Sequence, residues 1–436
     1  MTIYCIGIGG IGMSYVARLL KSEGHHVIGA DAVEGSTTSE LRAEGIEIVI
    51  GHKASNIPED VSLILLSPAI LSSQPEDYLE AKNRGVETKT WQEYIGEKTK
   101  QMKTIAVCGA HGKSTTTAMV GLMLIEAGYD PTVLVGTKLK EFNGSNIRFG
   151  KSEWLVIEAD EFNDNFLNYY PTYTLLTSFE PDHLDYFKTP ERYRASFVEF
   201  LSRTPVDGKV FYHNTQKETE ILIHEQNISS APVREEVGYM LQVPGKHNRE
   251  NASLVDALGE EIGIPAEIRE KSLKAFKGTW RRQEFKGETA GGALVYDDYG
   301  HHPTEVRVTL AGFREMFPEK KIICIFQPHQ YSRVRTFLKD FSEAFSDADA
   351  VIIPNIYASR DSEEDKRSMT AQIVVDEISK HQNNVYFGDG LKESMELVKT
   401  NSEWNTSNSV IITMGAGDVT YISDWLVENN QYAVPE

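Results

Sequence analysis

The apolar run Ile105-Ala106-Val107-Cys108 ends in Gly109-Ala110-His111-Gly112-Lys113-Ser114 and passes into Thr115-Thr116-Thr117-Ala118-Met119-Val120. That order reads as strand, glycine-rich turn, helix. Such a turn aims backbone N–H groups at a phosphate, and the helix N-terminus adds a favourable dipole. Lys113 would reach terminal phosphates and the Ser114 hydroxyl would sit on Mg²⁺. The common phosphate loop has four residues between its first glycine and its Gly-Lys pair; here only Ala110 and His111 intervene. The shortening narrows the field of nucleotide enzymes.

At 436 residues the chain is too long for one ordinary core, and two or three domains are expected. No run approaches the roughly 18 apolar residues that span a bilayer. The start, Met1-Thr2-Ile3-Tyr4-Cys5-Ile6-Gly7, has no basic segment and goes straight into a strand-like run, so no signal peptide and a cytoplasmic location are expected. Cys5, Cys108 and Cys324 lie in apolar runs without a CxxC partner, the pattern of buried free thiols. A net charge of −20 argues against nucleic acid but not against small anions, for which a few local cations and helix N-termini suffice.

Three blocks follow along the chain. In residues 1–99, apolar runs at 3–8, 27–30, 48–50 and 63–66, with a helical pattern at 11–22, imply a mostly parallel sheet with covering helices. The polar stretch 93–103 reads as a hinge. In residues 100–278, runs at 132–135, 154–157 and 173–177 end at Gly136, at Glu158, and ahead of Asp182-His183. Strand C-termini are where α/β folds place ligands. In residues 279–436 the rhythm repeats, with strands at 293–296, 322–326, 350–353 and 410–413.

Gly7-Ile8-Gly9-Gly10-Ile11-Gly12 fits the dinucleotide turn, with Asp31 at the spacing of a ribose contact. Taken literally it predicts NAD and a dehydrogenase, yet the same turn cradles any diphosphate attached to a ribose. Glu158 is the first polar residue after an apolar strand, where a carboxylate near Ser114 would hold Mg²⁺ through oxygen. Asp160 and Glu161 are either helix-capping or solvated. His183 is a packed histidine or, given its position after a neighbouring strand, a ligand. Asn248 and Asn251, three apart on one helix face, can read an adenine edge, or Asn248 can cap the helix. Arg281 and Arg282 are solvated or swing onto a γ-phosphate. Asp297-Asp298-Tyr299-Gly300-His301-His302 makes zinc conceivable, though adjacent histidines rarely reach one metal.

With these pieces in order the chain resembles the Mur ligases, the ATP-dependent amide-bond-forming enzymes of peptidoglycan synthesis. The motifs that carry the resemblance are Gly7-Ile8-Gly9-Gly10-Ile11-Gly12-Met13-Ser14, the short loop, Glu158-Ala159-Asp160-Glu161, Asp182-His183-Leu184-Asp185, and His247-Asn248 with Asn251. Asp298-Tyr299-Gly300-His301-His302-Pro303-Thr304-Glu305, Gln327-Pro328-His329 and Met414-Gly415-Ala416-Gly417-Asp418 complete them. The resemblance implies a Rossmann-like UDP-binding domain at 1–99, a P-loop ATPase-like α/β domain at 100–278 and a Rossmann-like α/β domain at 279–436 that presents the amino acid.

Within the family the likeness is greatest to the branch that joins L-alanine to UDP-N-acetylmuramate. It implies that Gly9, Gly10, Ile11, Gly12, Asp31 and Ser67 take the UDP-sugar. Gly109, Ala110, His111, Gly112, Lys113, Ser114, Thr115, Asn248, Asn251, Arg282 and Asp298 take ATP. Ser114, Glu158 and His183 would hold two Mg²⁺, and His329 and Arg333 would lie at the amino acid. Lys113, His183, Arg282 and His329 would be catalytic, with His329 as general base and His301 or His302 as substitutes. Three positions depart from the family's usual residues: Ser114 for Thr, Ser178 for Asn, and Gln330 for Arg. No lysine lies between Lys188 and Lys209, so the carbamoylated lysine of several related ligases has no counterpart. A relative that adds a preformed tripeptide, and a noncatalytic UDP-sugar scaffold, are the remaining readings.

Overall fold

The computed structural model describes residues 1–215, 217–226, 228–233, 236–359 and 361–427, apart from the side chains of residues 184 and 185. It divides into two compact units, residues 1–235 with 251–272 and residues 236–250 with 273–436. The helix Lys246–Glu261 gives its first turn to the second unit and the remainder to the first.

The first unit holds two sheets. In one, five parallel strands lie in the order Glu47–Ile50, His26–Asp31, Thr2–Ile6, Val61–Leu66, Thr88–Thr90. In the other, seven strands run Ser230–Val233, Lys209–His213, Tyr173–Leu176, Lys103–Cys108, Trp154–Glu158, Thr132–Leu139, Ser145–Arg148, parallel except for the last pair. The inner strands, buried on both faces, are unbroken apolar runs, as parallel sheets require. Their side chains join one core, in which Phe166 stacks on Phe200 at 4.5 Å and meets Phe197 edge-on.

The second unit carries a six-stranded sheet in the order Glu284–Glu288, Leu294–Asp298, Ser409–Met414, Lys321–Phe326, Ala350–Ile353, Val385–Phe387, antiparallel only at the first pair. Separate apolar clusters cover its two faces. Among the described residues no helix is long and apolar enough to cross a membrane.

The apolar runs mark most inner strands within two residues, though none marks the inner strand Lys209–His213, and the first helix is Ile11–Ser22. Two expectations are corrected. The stretch 93–103 is mostly helix, Trp91–Thr99, because Thr90 and Glu93 form a reciprocal cap and Ile95, Gly96 and Thr99 are buried. The strand at 132–135 does not stop at Gly136 but runs to Leu139, since it continues as a hairpin with Ser145–Arg148.

The helix Ile11–Ser22 is tied to the second sheet by the Tyr15 hydroxyl, which donates to Val135 O at 2.7 Å in a buried setting. The Tyr15 ring also meets Trp91 edge-on at 6.4 Å. Tyr15→Phe keeps the ring and loses that bond, so urea unfolding of the purified chain will show a loss of about 1 kcal/mol. Wild-type stability in that variant contradicts the tie.

Candidate active site

Each sheet presents polar residues beyond the C-terminal ends of three adjacent parallel strands. In the second sheet the central strand, Lys103–Cys108, feeds the glycine turn. Gly109 has φ +131, and a Cβ there would lie 2.3 Å from Thr177 Oγ1, so only glycine fits. The neighbouring strand end grips the loop: Ala110 N donates to Ser178 O at 3.2 Å and His111 N to Ser178 Oγ at 2.9 Å. Thr177 Oγ1 donates to His111 O at 2.5 Å. Two loop amides, those of Ala110 and His111, are thus bonded to Ser178, and the loop leads directly into the N-terminus of the helix Lys113–Glu126. Gly112, at φ +83, precedes that helix, and a Cβ on it would meet the Asn251 amide at 2.7 Å.

Lys113 folds back into the loop. Its Nζ donates to Gly109 O at 2.6 Å, to Ala110 O at 3.2 Å and to Glu161 Oε2 at 2.9 Å. Burial disfavours its ammonium, but the carboxylates of Glu161, Asp160 and Glu158 outweigh burial and hold its pKa above the ordinary lysine value. Glu161 is 0% exposed, and burial, opposed by Lys113 and reinforced by Asp160, pushes it up to about 7.

Glu158, on the other flanking strand, accepts from Ser114 Oγ at 2.9 Å and from Gly136 N at 2.6 Å. The structure brings His183 beside Glu161, with Nε2 4.0 Å from Oε1, and beside Asp182 at 3.9 Å. Asp160, Glu161 and His183 each offer a ligand atom, all within 4.8 Å of one another. Asp160, read from the sequence as capping or solvated, does cap, accepting from Phe162 N at 3.3 Å, while Glu161 is neither and is buried against Lys113. The side chain of Asp185 in the same motif lies outside the described residues. Four carboxylates, at residues 158, 160, 161 and 182, gathered near the ammonium of Lys113 suit hard divalent cations.

In the first sheet the turn after Thr2–Ile6 lies between Asp31, the last residue of one flanking strand, and Ser67, the residue just after the other. Gly9 N donates to Asp31 Oδ2 at 2.8 Å, and a Cβ on Gly7 would lie 2.9 Å from Ser67 Cβ. A Cβ on Gly12 would lie 2.3 Å from the Trp91 ring, so the helix start packs directly on that indole. Gly10 precedes the helix and Ile11 opens it, largely exposed.

The second unit repeats the arrangement around Asp298, Gln327-Pro328-His329 and Gly415. Asp298 accepts from Gln283 N and Gly300 N, at 2.9 and 2.7 Å, and burial pushes it up to about 6 against the pull of Arg282. The His329 ring lies 5.8 Å from that of His301 and stacks on Tyr357 at 5.6 Å. Burial holds His301 down at about 4, with Glu305 opposing and Arg333 assisting. Arg333 sits in the first turn of the helix Tyr331–Ser342, behind Gln330 at φ 71. Asn248 donates to Pro244 O at 2.6 Å and to Gln283 Oε1 at 2.8 Å.

These features define an α/β protein with glycine turns and polar residues gathered at the C-terminal ends of its parallel strands. Family models agree in detail: the Mur ligase family catalytic domain matches residues 2–102, the Mur ligase middle domain 107–234, and the Mur ligase glutamate ligase domain 281–417. A UDP-N-acetylmuramate–L-alanine ligase of Anaeromyxobacter dehalogenans is 36% identical over 96% of this chain and 95% of its own length. The crystal structure of a UDP-N-acetylmuramate–alanine ligase from Thermotoga maritima superposes with a TM-score of 0.79 at 30% identity, covering 99% of both chains. A murein peptide ligase from Psychrobacter arcticus shares the fold, with a TM-score of 0.67 at 21% identity over the whole of both chains. The chain belongs to the Mur ligase family.

Burial also holds His247 at about 4, with Arg249 assisting and Glu305 opposing. An unfolded histidine titrates near ~6.5, so below that pH the unfolded chain takes up a proton that the folded one refuses. This contribution to stability is full above ~6.5 and is lost as pH falls toward 4. His247→Gln removes the loss, so urea unfolding will find the variant gaining on wild type between neutral and mildly acidic pH. A gap that does not change with pH contradicts the assignment.

Proposed function

We propose that the chain joins L-alanine to the lactate carboxylate of UDP-N-acetylmuramate, converting ATP to ADP and phosphate, as a cytoplasmic step of peptidoglycan precursor synthesis. The observation that carries this reading is the charged cluster at the short loop: Lys113 held by Glu161, Ser114 by Glu158, and His183 beside them. Relatives named for the alanine-adding reaction, matched over nearly the whole chain, supply the substrates.

The chemistry follows from charge. A carboxylate must approach the γ-phosphate of ATP, and two anions repel. Lys113, the helix N-terminus behind it and Arg282 neutralise charge on the transferring phosphoryl group. Ser114, Glu158 and His183 would hold Mg²⁺, a reading supported by the carboxylates of Asp160 and Glu161 beside His183. Bound Mg²⁺ supplies further neutralisation of the phosphate oxygens. The acyl phosphate that results is a better electrophile than the carboxylate, and the amine of alanine displaces phosphate from it. That amine must first lose a proton. His329 is assigned as the base, since His301 is held neutral and weakly basic by its burial. Arg333 is assigned to the amino-acid carboxylate, Asn248, Asn251 and Asp298 to the nucleoside of ATP, and Gly9 to Gly12 with Asp31 and Ser67 to the UDP-sugar.

Two outcomes test the reading. Lys113→Ala will abolish phosphate release, a loss of about 1,000-fold or more, while calorimetry finds UDP-N-acetylmuramate still bound; normal turnover in that variant refutes the loop assignment. Phosphate release measured with UDP-N-acetylmuramate, ATP and Mg²⁺ will be fastest with L-alanine among L-alanine, glycine, L-serine and the tripeptide. Preference for the tripeptide would replace alanine addition with peptide recycling.

A further inference from the structure

The segment Thr279-Trp280-Arg281-Arg282-Gln283, which leads into the third sheet, sets two arginines side by side and treats them in opposite ways. Arg281 is buried. Its Nε donates to Asp297 Oδ2 at 2.9 Å, its Nη1 to Gly417 O at 3.0 Å, and its Nη2 to Gly415 O. Asp297, itself 0% exposed, is fixed from other directions by Thr413 Oγ1 at 2.7 Å and Thr420 Oγ1 at 2.8 Å. It cannot follow a guanidinium that moves. Arg282 is partly exposed, and its guanidinium lies 5.0 Å from the Tyr299 ring and 3.9 Å from Glu305 Oε1.

The backbone shows why the contrast matters. Arg281 and Gln283 both adopt left-handed conformations, at φ 55 and φ 52, which side-chain-bearing residues rarely occupy. They bracket Arg282 and set its direction. Tyr299 N donates to Arg281 O at 2.6 Å, Arg281 N to Glu284 Oε2 at 3.1 Å and Gln283 N to Asp298 Oδ2 at 2.9 Å. Strain persists only where surroundings over-determine it, and here the Arg281 guanidinium is the largest of the ties. It ends on the carbonyls of Gly415 and Gly417, in the turn after the central strand of the sheet.

We propose that Arg281 is a positioning residue: its clamp on Asp297 and the Gly415–Gly417 carbonyls holds the strained segment so that Arg282 presents its guanidinium to the phosphoryl group. This rests on the assignment of Arg282 to the γ-phosphate. A planar fork with several donors in fixed directions is needed to reach a carboxylate and two carbonyls at once, and lysine offers no such fork.

The test is a cycle of Arg281→Lys, Arg282→Ala and the double variant, read by single-turnover phosphate release at saturating ATP, with UDP-N-acetylmuramate affinity followed by calorimetry. Arg281→Lys will slow turnover about 100-fold in the wild-type background with sugar-nucleotide affinity unchanged. Against Arg282→Ala it will cost less than about threefold, because the residue it aims is already gone. Equal losses in both backgrounds, or no loss in either, overturn the proposal and leave Arg281 a structural anchor. Wild-type turnover in Arg282→Ala would instead refute the γ-phosphate assignment, and with it this role. If Arg281→Lys fails to fold by circular dichroism, Asp297→Asn loosens the same clamp and takes its place in the cycle.

Discussion

The buried pair of Lys113 and Glu161 is the interaction on which the ATP half of the molecule depends. An ammonium folded against the carbonyls of its own loop is tolerable only beside a counter-charge, and Glu161 supplies it from the end of the adjacent strand. Removing either partner would strand the other, at a cost of about 3–5 kcal/mol. The pair also keeps Lys113 charged where burial alone would neutralise it. A lysine that must meet a phosphate has to arrive as a cation, and the acidic surroundings guarantee this before any nucleotide is present. The same acids repel one another unless cations join them, so the cluster that stabilises Lys113 is also suited to bind metal.

Three sheets arrive at one local solution. A central parallel strand ends in a glycine turn or a polar tripeptide, and its two neighbours bring side chains to the same edge. In the first sheet Asp31 and Ser67 flank the turn; in the second Glu158 and Ser178 do; in the third Asp298 and His329 flank Gly415. Parallel sheets place all their strand C-termini together, which lets residues far apart in sequence share one small volume. On the proposed reading, one turn carries the sugar nucleotide as a handle, another consumes ATP, and the third presents the amine.

Much of this was legible in the sequence, for physical reasons. Inner parallel strands are buried on both faces, so they stand out as unbroken apolar runs, and glycines at Gly7, Gly109 and Gly112 mark turns that need positive φ. Legibility was uneven: the edge strand Glu47–Ile50 showed as an apolar run, while the inner strand Lys209–His213 and the other edge strands did not. Thr88–Thr90 and Val385–Phe387 are three residues long and half exposed, so nothing in their composition separates them from loops. Nor could spacing assign neighbouring residues of one type. Glu158 ends a strand and Glu161 lies three residues on, and only the turn decides that the second is buried against Lys113. Arg281 and Arg282 are adjacent and chemically identical, and only the left-handed backbone sends one inward to Asp297 and leaves the other outside. Ser178, which the sequence showed only as a departure from the family's usual Asn, is what grips the loop amides.

The account stands on phosphoryl transfer to a carboxylate, which oxygen atoms can report. UDP-N-acetylmuramate labelled with oxygen-18 in its lactate carboxylate, turned over with ATP and L-alanine, will yield phosphate carrying one labelled oxygen by mass spectrometry. Amide product formed alongside unlabelled phosphate would contradict the acyl-phosphate route, and with it the role assigned to the cluster around Lys113.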